Sequence, residues 1–332
     1  MRPPAALAVF LLTFPGCARM TGLPPVPKSV SLKDAGLDGL AAASEEAQRL
    51  RIPLAQGSPA ADAVDRARIA LGRIERGDAA AGLADLAAEV VASPADLVLG
   101  NAFRMQVYRL KLDFLAGARS RGERSPAFPE DLGGDPLATL TRAAATSQAR
   151  ELQVQIALAS VDQMVLNPAL EVKAPASIDS IHVFTAILSR DPYYVPALVG
   201  RGLNHLNRPR NLVWPEHPAP PADAASRDLA LAVAVGAKVG GASPRVKGLL
   251  LLLLGDAYAH EGKAGVARSF WTIAGESTSD RGVHAELEER ASWPEPEIPD
   301  RLEARLDRRM EDTGAPLSDL SFLWDDQARG PW

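Results

Sequence analysis

The chain has 332 residues, of which 47% are hydrophobic and only 5% aromatic, with a formal net charge of −5 and a pI near 5.7. The acidic balance argues against a nucleic-acid-binding protein, because such proteins usually carry a basic face. One cysteine excludes an intramolecular disulfide and a zinc site built from several thiolates. Ala and Leu are abundant while aromatic residues are few, and this composition predicts an all-α chain.

The N-terminus reads MRPPAALAVFLLTFPGC over residues 1–17. Its apolar run over residues 5–14 has the length of a signal-peptide core and is too short to span a bilayer as a helix. Gly16 then precedes Cys17, the only cysteine of the chain. This arrangement resembles the lipobox of bacterial lipoproteins, although Phe and Pro stand where the family usually has Leu and a small residue.

The resemblance implies that residues 1–16 are a cleaved signal peptide and that Cys17 is acylated. Ala18, rather than Asp, follows the cysteine, which in Gram-negative lipoproteins favours the outer membrane, facing the periplasm. Residues 17–35 then form the lipidated cysteine and a tether, since residues 18–35 are rich in Pro, Gly and Ser. The alternative is an ordinary secretory signal peptide that is cleaved elsewhere.

From residue 36 to residue 293 the sequence predicts helices separated by turns, and the segment 248–279 has the clearest pattern. Small residues at fixed spacing allow two antiparallel helices to approach, and large residues fill the space beside them. These positions are Leu254, Gly255, Tyr258, Gly262, Ala267, Trp271 and Ala274. The pattern resembles the tetratricopeptide repeat, and the resemblance implies a solenoid of helical hairpins.

Two weaker copies of the pattern support the same interpretation. The first covers residues 62–94, with Gly77, Gly82, Leu86 and Pro94 in the expected positions. The second begins at residue 178 and continues into a further first helix from residue 194. Its positions are Ser180, Phe184, Ile187, Pro192, Leu198, Gly202 and His205.

Two segments are candidate partner-binding regions. The Pro-rich loop 207–222 contains Arg208, Arg210, Trp214 and His217, and Trp and Arg are enriched at binding hot spots. The alternative is an insertion without function. Residues 294–332 are predicted as a Pro-rich hinge, a charged capping helix near 299–311 and a tail containing Trp324 and Trp332. The two tryptophans either fold back on the array or dock on a partner.

Catalytic patterns are not found in the sequence. The five histidines show no metal-ligand spacing, and there is no nucleophile elbow, Walker loop or dinucleotide-binding loop. We therefore predict a chain without enzyme activity, metal or cofactor. The two resemblances together imply an interaction or assembly scaffold for an envelope machine in secretion, pilus, motility or export. One alternative is a solute-binding transport accessory with an enclosed pocket or pore, and another is an enzyme acting on cell-wall polymer.

Overall fold

The computed structural model describes residues 40–50, 57–75, 78–92, 100–101, 103–105, 107–111, 150–166, 170–208, 221–239 and 244–304. Every regular element in these ranges is helical, so the predicted all-α class is confirmed there. The elements are α1 (Leu40–Leu50), α2 (Pro59–Glu75), α3 (Ala79–Ala92), α4 (Arg150–Leu166), α5 (Leu170–Arg190), α6 (Val195–Leu206), α7 (Pro221–Val239), α8 (Pro244–His260), α9 (Ala264–Ser277), α10 (Arg281–Ser292), a 3₁₀ turn (Glu295–Glu297) and α11 (Ile298–Glu303). Residues 100–111 are also helical wherever they are described. None of the described helices is long and apolar enough to cross a bilayer.

Helices α2 and α3 form a hairpin whose axes approach closely at a glycine. Pro59 begins α2, and the backbone N–H of Ala61 donates to the Ser58 hydroxyl (3.2 Å), which caps the free end of the helix. A Cβ at Gly82 would lie 2.5 Å from Ile74 Cγ1 on α2. The missing side chain therefore makes room for the isoleucine.

From α4 to α10, each helix packs against the next one in the chain. Helix α4 also contacts α6, and α8 also contacts α10, so first neighbours and some second neighbours touch. A buried hydrogen bond from Arg109 Nη1 to Gln155 Oε1 (3.0 Å) joins residues 100–111 to α4. Helix α1 departs from this order, because it packs against α7, far along the chain.

Helix α8 lies at the centre of the C-terminal half, in contact with α7, α9, α10 and α11. The six leucines Leu249–Leu254 are each no more than 6% exposed. A helix that is apolar on all sides is stable only when neighbours cover all of its faces. The leucine run is therefore part of the core.

The beginning of the C-terminal region packs on the body. Residues 295–297 form a 3₁₀ turn, and α11 follows directly. Ile298 and Leu302 of α11 are fully buried, and the helix contacts α8. Burial of these two side chains holds α11 against α8. The prolines of this segment did not reveal that burial. The described part of α11 ends at Glu303, short of the predicted helix end near residue 311.

Candidate functional site

The pair α8–α9 holds the residues that the sequence analysis assigned to repeat packing. A Cβ at Gly255 would lie 2.5 Å from both Cδ1 and Nε1 of Trp271, so the indole occupies the space over the glycine. The ring of Tyr258 stacks on that of Phe270, with centroids 5.4 Å apart and planes at 8°. Gly262 lies in the turn between the helices with φ +77°, a conformation that side-chain-bearing residues rarely adopt. Leu254, Ala267 and Ala274 are buried at the same contact.

The helices α5, α6 and α7 contain the other predicted packing residues. Phe184 is fully buried, and its ring leaves no room for a Cβ at Gly200 on α6. A Cβ at Gly202 would lie 2.9 Å from Leu229 Cγ on α7. Pro192 lies exposed in the turn between α5 and α6.

A buried charged cluster joins α8, α9 and α10. Arg290 Nε and Nη2 donate to the two carboxylate oxygens of Asp256 at 2.8 and 2.9 Å, and Nη1 donates to the Glu286 carboxylate. Trp271 Nε1 donates to Asp256 Oδ1 (3.0 Å) and lies 3.2 Å from the carbonyl oxygen of Leu252. Burial alone would lower the pKa of Arg290, but the two carboxylates raise it above its ordinary value.

This cluster is closed to solvent. The exposed fractions are 0% for Asp256, 2% for Arg290 and 6% for Glu286. Its hydrogen bonds connect three successive helices, so it fixes their relative positions. The cluster was not predicted from the sequence, although Asp256 lies two residues after the leucine run and Glu286 precedes Arg290 by one helical turn. A charged residue at the end of an apolar helical run is the signal that indicates such a site.

Two further ion pairs connect earlier helices. Arg201 on α6 forms a two-pronged pair with Asp228 on α7, at 2.7 and 2.8 Å, and donates to Thr185 Oγ1 on α5 at 3.2 Å. Arg150, at the start of α4, pairs with Asp191, and its guanidinium lies 4.1 Å from the ring centroid of Tyr194. Arg150 is completely buried. Each arginine therefore joins helices through a charge-assisted contact.

Of the predicted partner-binding residues, only Arg208 falls within the described ranges. Its side chain is buried at the end of α6, and this burial lowers its pKa. Arg208 therefore lies against the protein body and not on an open surface. Cys17, Arg210, Trp214, His217, Trp324 and Trp332 lie outside the described residues.

One surface contact differs from these buried contacts between helices. Helix α1 packs on α7, and the hydroxyl of Tyr193, in the turn between α5 and α6, donates to Glu46 Oε2 on α1 at 2.7 Å. This hydrogen bond, followed by burial, raises the pKa of Tyr193 above its ordinary value. The contact places the N-terminal helix on the middle of the helical body.

The described ranges contain no group of three or more His, Cys, Asp or Glu side chains arranged to hold a metal ion. Comparisons of the chain with protein-family models, with curated proteins and with solved structures found no match. The function is therefore inferred from the residues and from their packing.

Proposed function

We propose that this chain is a lipid-anchored, periplasm-facing scaffold of the bacterial envelope, whose tetratricopeptide-like helical array binds another envelope protein. The observation that carries the proposal is one packing device that occurs three times. In three pairs of helices along the chain, α2–α3, α6–α7 and α8–α9, a glycine lies under a large side chain of the paired helix. The three contacts are Gly82 with Ile74, Gly202 with Leu229, and Gly255 with Trp271.

The order of helix contacts also supports a repeat array. When helical hairpins stack, the first helix of one hairpin touches both its own partner and the first helix of the next hairpin. The contacts of α4 with α6 and of α8 with α10 have this spacing. The two contacts therefore agree with hairpins α4–α5 and α8–α9, each followed by the first helix of a further unit.

A stack of helical hairpins is also suited to binding a partner protein. Each unit contacts only its neighbours, so the array is extended and offers a long surface to helices or extended peptides. The part-buried pair Arg201–Asp228 and the buried pair Asp256–Arg290 hold neighbouring helices in fixed positions. A surface that is rigid before binding loses less conformational entropy when a partner binds.

The anchor is proposed from the N-terminal sequence. Acylation of Cys17 with a diacylglycerol and an N-acyl group gives several chains, and several chains hold a protein on a bilayer more firmly than one. The tether of residues 18–35 then separates the helical body from the membrane surface. The partner would accordingly be a protein of the envelope, facing the periplasm.

The test combines mass spectrometry with affinity capture from native membranes, and compares the unmodified chain with Cys17→Ser. We expect an acylated N-terminal Cys17 in the outer-membrane fraction, loss of the modification in the variant, and a reproducible co-purified envelope protein. An unmodified chain in the soluble fraction, or one that retains residues 1–16, would contradict the anchor. Acylation without any reproducible partner would contradict the scaffold.

A further inference from the structure

The α2–α3 hairpin exposes apolar side chains of a kind that the described part of the chain otherwise buries. Ile69 on α2 is 59% exposed and Val91 on α3 is 73% exposed, and no other large apolar side chain that the structure describes is exposed. Ala80, Ala84 and Ala88 of α3 are exposed as well. A surface helix normally carries polar residues on the face away from the core. The apolar exposed face of α3 therefore indicates that another surface covers it.

An ion pair shows that the exposed apolar residues of the two helices lie on the same side of the hairpin. Arg73 on α2 pairs with Asp85 on α3. Ile69 precedes Arg73 by four positions and Ala88 follows Asp85 by three, so each lies beside one member of the pair. The exposed residues of α3 are themselves three or four positions apart, so they follow one face of that helix. We call this side the outer face, and its residues are Ile69, Ala80, Ala84, Ala88 and Val91.

The charges of α2 are arranged for a second copy of the same helix in the antiparallel orientation. Asp65 lies four positions before Ile69 and Arg73 four positions after it, on one face of the helix. Two antiparallel copies that meet at Ile69 place Asp65 of each copy opposite Arg73 of the other, whereas parallel copies place like charges together. Within the chain, Asp65 pairs with Arg68 and Arg73 with Asp85. The side chains of Asp65 and Arg73 are still 67% and 44% exposed, so each has room for a second ion pair.

Helix α3 fits the same two-fold symmetry. The axis that relates the two copies lies in the plane of contact and crosses α2 at Ile69. It crosses α3 within residues 85–89, because the ion pairs between the helices place this segment beside Ile69. Ala84 of one copy then lies opposite Ala88 of the other. Alanine side chains on both sides allow the two α3 helices to approach closely.

The outer face has a size that suits a weak dimer. Helix α2 has 17 residues and α3 has 14. With a rise of about 1.5 Å per residue and a width of about 10 Å per helix, the hairpin presents an area of about 450 Å². A standard interface buries about 800 Å² on each partner, so this interface is at the small end of the range. We therefore expect reversible association in the micromolar range.

We propose that the outer face is a two-fold interface at which a second copy of this chain binds, with the two α2 helices antiparallel. Ile69 of each copy packs against Ile69 of the other, and the ion pairs between Asp65 and Arg73 on either side set the orientation. An interface of this type uses the same surface on both copies, so the assembly closes at two. The inference goes beyond the proposed scaffold function and does not depend on it, since it uses only the described helices.

The first test exchanges charges between the copies, with Asp65→Arg in one variant and Arg73→Asp in another. Sedimentation velocity of the full chain, in a density-matched non-ionic detergent, measures association over about 0.1–100 µM. Each variant alone should associate at least about tenfold more weakly than the unmodified chain, because like charges then meet at both contacts. An equimolar mixture of the two variants should associate about as well as the unmodified chain, since opposite charges meet again in the mixed dimer. A variant that simply fails to fold could not be rescued by mixing.

Three outcomes of this test would overturn the proposal. The first is an unmodified chain that remains monomeric over the whole range, which would leave the outer face to another segment of this chain or to a different protein. The second is association of either variant as tightly as the unmodified chain. The third is a mixture that associates no better than its components, which would contradict the antiparallel arrangement.

A second test uses cross-linking at the proposed axis. In a Cys17→Ser background the chain contains no other cysteine, so a disulfide can form only between two copies. Helix axes about 8–10 Å apart leave about 4–5 Å between facing Cα atoms, which is within the range of a disulfide. Ile69→Cys should therefore form a covalent dimer under mild oxidation.

Ala186→Cys is the matched control for the cross-linking, because Ala186 is exposed on α5 and lies outside the outer face. This variant should remain mostly monomeric under the same oxidation. Equal dimer yields at the two positions would mean that the copies meet by random collision, and would overturn the interface. Neither test needs the lipid or an envelope partner, so a failure of the interface leaves the scaffold proposal to its own experiment.

Discussion

Replacement of Arg290 by methionine tests whether the buried charged cluster holds α8 and α10 together. The change removes the guanidinium that donates two hydrogen bonds to Asp256 and one to the Glu286 carboxylate. Methionine approximates the length of the apolar stem, so the main loss is the positive charge with its donors. Two carboxylates then remain buried without their shared cation.

The expected magnitude follows from that burial. Removing one partner of a buried ion pair costs about 3–5 kcal/mol, because the remaining charge has lost both water and its partner. With a urea m-value of about 2–3 kcal/mol per molar, the midpoint of unfolding should fall by roughly 1–2 M.

Urea unfolding followed by far-UV circular dichroism measures the effect, and Arg301→Met is the matched control. Arg301 pairs with Glu297 one helical turn away at 2.8 Å, but both side chains are about half exposed. An exposed pair of this kind contributes about 0.5 kcal/mol or less. In a second variant, Asp256→Leu and Glu286→Leu are added to Arg290→Met. It should recover most of the stability, since no buried charge remains.

The reasoning would be refuted by a free energy of unfolding for Arg290→Met that lies within about 1 kcal/mol of that for Arg301→Met. That result would mean that the carboxylates reach water after the guanidinium is removed.

Two further predictions concern the pair α8–α9. Gly255→Ala should lower the free energy of unfolding by about 1–2 kcal/mol, because its Cβ would lie 2.5 Å from the indole of Trp271. The cost of this crowding exceeds the gain in helix propensity from glycine to alanine. Gly265→Ala should instead raise the free energy of unfolding by about 0.5–1 kcal/mol, because a Cβ at this position has no atom within 4 Å. Thermal unfolding of the two variants shows whether their effects on stability have opposite signs. Burial, followed by the charge of Glu261, raises the pKa of Tyr258, so its contribution to stability is present below about pH 10 and is lost as the pH rises further. Absorbance titration should show a tyrosine that ionises only on unfolding, and Tyr258→Phe should remove this component. If stability declined above about pH 10 to the same extent in Tyr258→Phe, the assignment of this pH dependence to Tyr258 would be wrong.

The helices themselves were largely predictable from local patterns. The spacing of small and large residues in 248–279 predicts two helices with a turn at Gly262, and the chain has helices Pro244–His260 and Ala264–Ser277 with that glycine between them. At the predicted hinge near residue 294, a 3₁₀ turn (Glu295–Glu297) separates α10 from α11. Prolines at 294, 296 and 299 indicate a break, but the burial of Ile298 and Leu302 against α8 depends on residues some fifty positions earlier.

Sequence alone determined the all-α class, because helix propensity and apolar spacing act over a few turns of one chain segment. Only the tertiary structure decided which charges meet and where α1 lies. Asp256 and Arg290 are 34 residues apart, and Glu46 and Tyr193 are 147 residues apart. No local pattern links such positions, since their contact follows from how the intervening helices stack. The ion pairs and hydrogen bonds between distant helices are therefore properties of the packing, which fixes the positions of helices that the sequence predicts one by one.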